Sequence, residues 1–301
     1  MRAALVLAAL LVSAAAQAAG DPFAARVRFD DVDRFFRVYD ESSGKPTAER
    51  IQRDYIEAGS AGVRDFVPYR IESAEALAAK VAEDRATYER ARQCRAALPG
   101  VERRMRAAYL AFQTALPEAD LPDTTILVGR GNSGGTAKPS GVLIGLEVVC
   151  DPTPGGVPLD VRLTHLVAHE LGHTQQAGFR GDTLLDAALT EGVAEFVGEL
   201  ISGAPLNADM FAKAERRAPI IERAFAAEMT VRDQKRWRER WIYNGRGTDE
   251  WPGDLAYWVG YRIAKSYYDR ATDKPAAVRA MLKATDAQGL LKSSGWMPAQ
   301  G

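Results

Sequence analysis

The chain has 301 residues, 47% of them hydrophobic and 26% charged, with 39 basic and 40 acidic side chains and a formal net charge of −1. Such a length and apolar content can bury a sizeable core and exclude the composition of a disordered or multi-span membrane protein. A balance so near neutrality leaves no whole-chain electrostatics to recruit nucleic acid or an anionic membrane, so any partner must be read from a local site.

Residues 1–19 read as a signal peptide. Arg2 gives a positive start, residues 5–12 are an apolar run, and Ala16-Gln17-Ala18 is a small-x-small cleavage pattern, with the cut expected after Ala18 or Ala19. The apolar run is much shorter than the roughly 20 residues of a spanning helix. The expected product is therefore periplasmic or secreted, with no stable membrane association after cleavage. Export would place the two cysteines, Cys94 and Cys150, in an oxidising compartment where they can pair. Two separately buried thiols are the alternative, since sequence does not supply the geometry of a bridge.

Residues 20–120 read as an N-terminal helical region. Apolar residues recur at helical spacing, as in Ile51 and Tyr55, then Leu77, Val81 and Tyr88, then Met105, Tyr109 and Phe112. Residues 121–205 have a different texture. Residues 124–128 and 142–149 are short β-rich runs flanking a loop, 131–141, which is rich in Gly and Ser and matches neither the P-loop nor the dinucleotide spacing. A Pro- and Gly-rich linker at residues 151–158 then leads to Asp160, the expected N-cap of the next helix. Further helices are expected over residues 189–201 and 256–268. The last third, residues 206–301, carries all five tryptophans and reads as a C-terminal helical lobe whose tail from residue 289 is weakly structured.

The helix after the linker carries the chemistry. It contains His165-Leu166-Val167-Ala168-His169-Glu170-Leu171-Gly172-His173, a segment with an H-E-x-x-H pattern at 169–173 and all three histidines of the chain. Four residues advance a helix by about 400°, so His169 and His173 lie one above the other and can chelate one ion. Glu170 falls at the flank of that ion, placed to touch a metal-bound water as general base. His165, a turn earlier, reads as a supporting or packing residue. A catalytic zinc takes three protein ligands and keeps a fourth position for water, so two imidazoles are not enough. Leu189-Thr190-Glu191-Gly192-Val193-Ala194-Glu195-Phe196 offers Glu191 as the third ligand. Glu195, one helical turn on, can accept a hydrogen bond from a ligand imidazole and fix its tautomer.

Together these two motifs resemble those of the gluzincin metallopeptidases, the group that includes thermolysin and the zinc aminopeptidases. Glu191-Gly192-Val193-Ala194-Glu195-Phe196 matches the Glu-Gly-x-Ala-x-aromatic motif of the aminopeptidase branch. The resemblance implies one zinc ion held by His169, His173 and Glu191, with Glu170 as base and Glu195 supporting a zinc histidine. Tyr55-Ile56-Glu57-Ala58-Gly59-Ser60 and Gly260-Tyr261-Arg262-Ile263 are also similar to bacterial families known only as predicted zinc-dependent proteases. The chain departs from the named branches in a slightly tighter His-to-Glu spacing. It also lacks the aminopeptidases' Gly-x-Met-Glu-Asn anchor, whose nearest echo is Gly145-Leu146-Glu147.

The implied fold is α+β: mostly helical and zincin-like, with a small sheet, an active-site helix and a C-terminal helical lobe. The implied activity is hydrolysis of peptide bonds through a zinc-bound water activated by Glu170. Two other readings share the same residues: a zinc-stabilised binding or chaperone-like protein without turnover, and a hydrolase of a non-peptide amide. In gluzincins the donor to the oxyanion is commonly a Tyr or His beyond the ligands, and no histidine follows His173. Tyr257 is the first candidate and Tyr261 or Arg262 the next, although an aromatic stripe at this spacing equally reads as core. The β segment at 142–149 resembles the edge strand on which such enzymes lay an extended substrate.

Overall fold

The computed structural model describes residues 20–150, 157–245 and 247–299. The expected signal peptide, residues 1–19, lies outside the described residues, as do residues 151–156 of the linker. Among the described residues no helix is long and apolar enough to cross a membrane.

The fold is mostly helical with one small mixed sheet. The sheet contains β1 (Val27–Arg28), β2 (Thr124–Leu127), β3 (Gly135–Lys138) and β4 (Gly141–Gly145), in the order β1-β2-β4-β3. β1, β2 and β4 are parallel, and β3 runs antiparallel to β4 with Gly135 opposite Ile144. Every residue of β2 and β4 is buried, as expected of inner strands covered on both faces.

Helices enclose the sheet. Among the N-terminal ones, Asp30–Glu41 starts with three acidic residues at its positive end and buries Val32, Phe35, Phe36 and Tyr39 along one stripe. Ser73 and Asp84 cap two later helices, Ala74–Glu83 and Arg85–Cys94, by accepting from backbone N–H groups three residues on. The long helix Leu98–Ala115 then leads back to β2. One buried apolar cluster runs from Val27 to Trp296, so the N-terminal helices, the sheet and the C-terminal helices share a core. Cys94 and Cys150 are disulfide-bonded with Cα atoms 6.3 Å apart.

Four local expectations are corrected. The 131–141 connection is not only loop: it contains β3, whose four residues are all half-exposed and so carry no apolar alternation to reveal a strand. The 142–149 segment is a strand only as far as Gly145, after which Leu146–Val149 forms a helical turn; β4 is also interior, and the edge is β3. The metal-motif helix starts at Leu159 with Pro158 in the capping position, and Asp160 lies inside its first turn, ion-paired to Arg104 at 2.7 Å. Residues 289–296 are not weakly structured: Asp286 caps a helix, Ala287–Ser294, that buries Leu290 and leads to buried Trp296.

Candidate metal centre

Three helices build the site. The histidine helix is Leu159–Gln175, the glutamate helix Leu184–Ser202 and the closing helix Leu255–Arg270. The glutamate helix begins with a reciprocal capping box, in which Thr183 accepts from the Asp186 N–H and Asp186 from the Thr183 N–H. It ends at Gly203 in the left-handed conformation, φ 88°.

Glycines let these backbones approach one another. A Cβ at Gly198 would stand 3.1 Å from the backbone of His169, and one at Gly172 the same distance from the Ala194 Cα. On the other side of the glutamate helix, Gly192 and Gly260 meet so closely that a Cβ on either would overlap backbone atoms of the facing helix. The glutamate helix is thus clamped between the other two, which sets Glu191 over the histidine pair.

The donor atoms converge. Glu191 Oε2 lies 3.3 Å from His169 Nε2 and 3.2 Å from His173 Nε2, and the two imidazole nitrogens are 3.0 Å apart. Atoms bound about 2.0–2.1 Å from one tetrahedral ion stand about 3.3 Å from each other, so the spacing fits zinc. The hydrogen bonds on the far side of each ring fix its tautomer. His169 Nδ1–H donates to Glu195 Oε2 at 3.1 Å, because a carboxylate can only accept. Gln176 donates its Nε2–H to the Thr190 carbonyl at 2.7 Å, which leaves its Oε1 to accept from His173 Nδ1–H at 2.9 Å. Both Nε2 lone pairs therefore face the same point beside a carboxylate oxygen, an arrangement that calls for a shared cation or proton.

The electrostatics agree. Burial works to lower the His169 pKa, but hydrogen bonds and charge from Glu191 and Glu195 hold it up at about 10. Burial likewise works to raise Glu191, and the two histidines overcome it and hold the carboxyl far below its ordinary range. Glu195 anchors its second oxygen on the Asn207 N–H at 3.1 Å.

Glu170 is buried beside this cluster, under β3. Burial pushes its pKa above the ordinary carboxylate value against the pull of His169 and His173, which strengthens it as a base. Gly135 leaves the necessary room: a Cβ there would lie 2.5 Å from Glu170 Oε1. His165 is buried but outside the three-residue cluster.

Of the three oxyanion candidates, Tyr257 reaches the site. Its ring stacks on His169 with centroids 6.0 Å apart, and burial and the Glu191 charge push its hydroxyl well above the ordinary pKa. Tyr261 and Arg262 do not reach it. Tyr261, a turn further along, packs between Phe196 and Phe211, and Arg262, on another face, pairs with Glu215 and Glu222 at 2.8 Å each and lies over Trp258. Glu147, the echo of the aminopeptidase anchor, is buried and accepts from the Gly129 and Gly131 N–H groups.

Two residues at the site escaped sequence reasoning. Gln176 is the first residue beyond the histidine helix. Tyr243 sits in a loop with φ 56° and donates its hydroxyl to Glu191 Oε1 at 2.6 Å. A search for a tyrosine beyond the ligands admits Tyr243, but no periodicity marks its loop.

Residues 113–287 match the family described as Predicted Zn-dependent protease (DUF2268). The match covers more than half of the chain, and the chain belongs to that family. No curated protein and no solved structure matches it.

Proposed function

We propose that this member of the predicted Zn-dependent proteases is an exported peptidase of the gluzincin type, hydrolysing peptide bonds with one zinc ion held by His169, His173 and Glu191. The observation that carries the reading is the convergence of two oriented imidazole nitrogens and one carboxylate oxygen beside a buried second carboxylate, Glu170. A zinc ion bound there would polarise the scissile carbonyl and lower the pKa of water.

The chain's own groups do the rest. Glu170, its basicity raised by burial, takes a proton from the attacking water and passes it to the leaving amine. The free edge of β3 runs beside Glu170 and offers backbone groups to an extended peptide. Tyr257 and Tyr243 flank Glu191, and their hydroxyls are the available donors to the oxygen that gains charge.

The test is to purify the mature chain, measure zinc per chain, and assay a mixed peptide library with and without chelator. Glu170→Gln is expected to keep its zinc and to lose activity by about 10²-fold or more, the size of a general-base contribution. Cleavage at the wild-type rate by that variant would remove Glu170 from its role. Full zinc occupancy in a His169→Ala, His173→Ala double variant would remove the ligands from theirs. Stoichiometric zinc without turnover of any peptide would favour a binding protein instead.

A further inference from the structure

Residues 67–72 form an irregular segment beside the site. Pro68 breaks the helix, and Tyr69 and Glu72 both adopt positive φ, 71° and 67°. Such conformations persist only when surrounding contacts hold them. Here Asn132 donates to the Tyr69 carbonyl at 3.2 Å, and Arg130 pairs with Glu72. The segment is thereby pinned to the chain leading into β3.

Arg70 sits between those two residues. Its Nη2 reaches Thr136 Oγ1 on β3 at 3.4 Å, a long contact to a neutral acceptor. Its Nε is shielded from solvent and has no hydrogen-bond partner. Among the described residues no carboxylate forms an ion pair with it, although its charge is felt at Glu170. Of the other arginines around this loop, Arg130 is ion-paired with Glu72 and Arg64 donates to the Gly59 carbonyl. A guanidinium held at the free edge of a sheet with unused donors lacks an acceptor. A shielded donor without a partner is costly, and the planar fork of a guanidinium matches a carboxylate in two parallel hydrogen bonds.

We infer that Arg70 is the anchor for a carboxylate of the peptide lying along β3, supplied either by the substrate's C-terminus or by an acidic side chain. The inference rests on the peptidase reading for the identity of the ligand, but the anchor itself is a property of Arg70, Thr136 and the β3 edge. Arg70 thus selects among substrates and takes no part in the proton transfers.

The experiment measures binding. The full chain, zinc-loaded and carrying Glu170→Gln to prevent turnover, is titrated with acetylated tetra-alanine as the free acid and as the amide. A second pair consists of amidated peptides with glutamate or glutamine at one position. At least one acid is expected to bind about tenfold or more tightly than its neutral partner, the scale of a charge-assisted bidentate contact. The first pair reports a terminal carboxylate and the second a side chain. Adding Arg70→Gln should abolish that preference while leaving zinc content unchanged, and Arg70→Lys should retain only part of it. Equal affinity for acid and neutral forms in both pairs overturns the inference, as does a preference that survives Arg70→Gln. Should Arg70→Gln melt early, Arg70→Lys decides, because an unaltered preference there excludes the guanidinium fork. Peptide hydrolysis without acid preference would leave the peptidase standing and remove the anchor. Acid preference without hydrolysis by the wild type would do the reverse.

Discussion

Replacing Gly260 by alanine tests the packing that places Glu191. The added Cβ would overlap the carbonyl oxygen of Ala188 and stand 2.6 Å from its carbon and 3.0 Å from the Gly192 Cα. Non-bonded carbons prefer about 3.5–4.0 Å, so the closing and glutamate helices must separate by about 1 Å. Overpacking a core costs about 1–3 kcal/mol. The upper end applies here, because the obstacle is backbone and no side-chain rotation relieves it. In a domain of this size about 1 kcal/mol moves the melting temperature by roughly 2–4 °C, so a loss of roughly 6–12 °C is expected.

The same displacement carries Glu191 away from the histidine pair, so zinc affinity should fall by about tenfold, in line with the effects of disturbing the supports of a metal ligand. Melting of zinc-free and zinc-loaded protein, with competitive zinc titration, separates the two effects. Gly134→Ala is the control: its Cβ would meet nothing closer than 3.6 Å, and a change within about 0.5 kcal/mol is expected. A Gly260→Ala protein that melts with the wild type and binds zinc equally well would refute the account of how the glutamate helix is positioned.

Three further outcomes follow from the site and the bridge. Glu195→Gln removes the charge that orients His169 and should weaken zinc binding by about 10–100-fold with the fold retained, as read by zinc titration and circular dichroism; undiminished affinity would deny Glu195 that role. In the zinc-free protein the His169 imidazole is held at about 10, above its unfolded value near 6.5, so its stabilising proton is fully present below about pH 6.5 and lost as pH rises towards 10. Denaturant melts should show zinc-free stability falling across that window, and calorimetry in buffers of different ionisation enthalpy should show proton release on zinc binding at pH 8; a flat profile with no release would contradict it. Replacing Cys94 and Cys150 by serine opens a loop spanning 56 positions and should cost about 4 kcal/mol in chemical denaturation; an unchanged midpoint would show that the bridge contributes little.

What the sequence disclosed and what it hid divide along one physical line. His169, Glu170 and His173 are related by helical periodicity alone, so their relative placement needs nothing beyond 3.6 residues per turn. A glycine inside a helical pattern, as Gly260 is, also signals a close neighbour, although not which one. The apolar run at 142–144 does not mark an edge, because strands that are apolar on both faces belong inside a sheet. The true edge, β3, is half-exposed and leaves little apolar pattern. Gln176, Tyr243 and Arg70 lie in turns and irregular backbone, where the direction of a side chain is decided by contacts with distant segments. Tyr243 reaches Glu191 across 52 positions and Arg70 reaches Thr136 across 66. The histidine pair that would hold zinc is therefore set by local geometry, whereas Glu191 and the groups that orient the ligands and meet the substrate are set by tertiary packing. It follows that substitutions in the loop around residue 70 should change selectivity while leaving zinc binding largely intact, whereas substitutions at Tyr243, which supports Glu191, and along the glycine seam should weaken zinc binding.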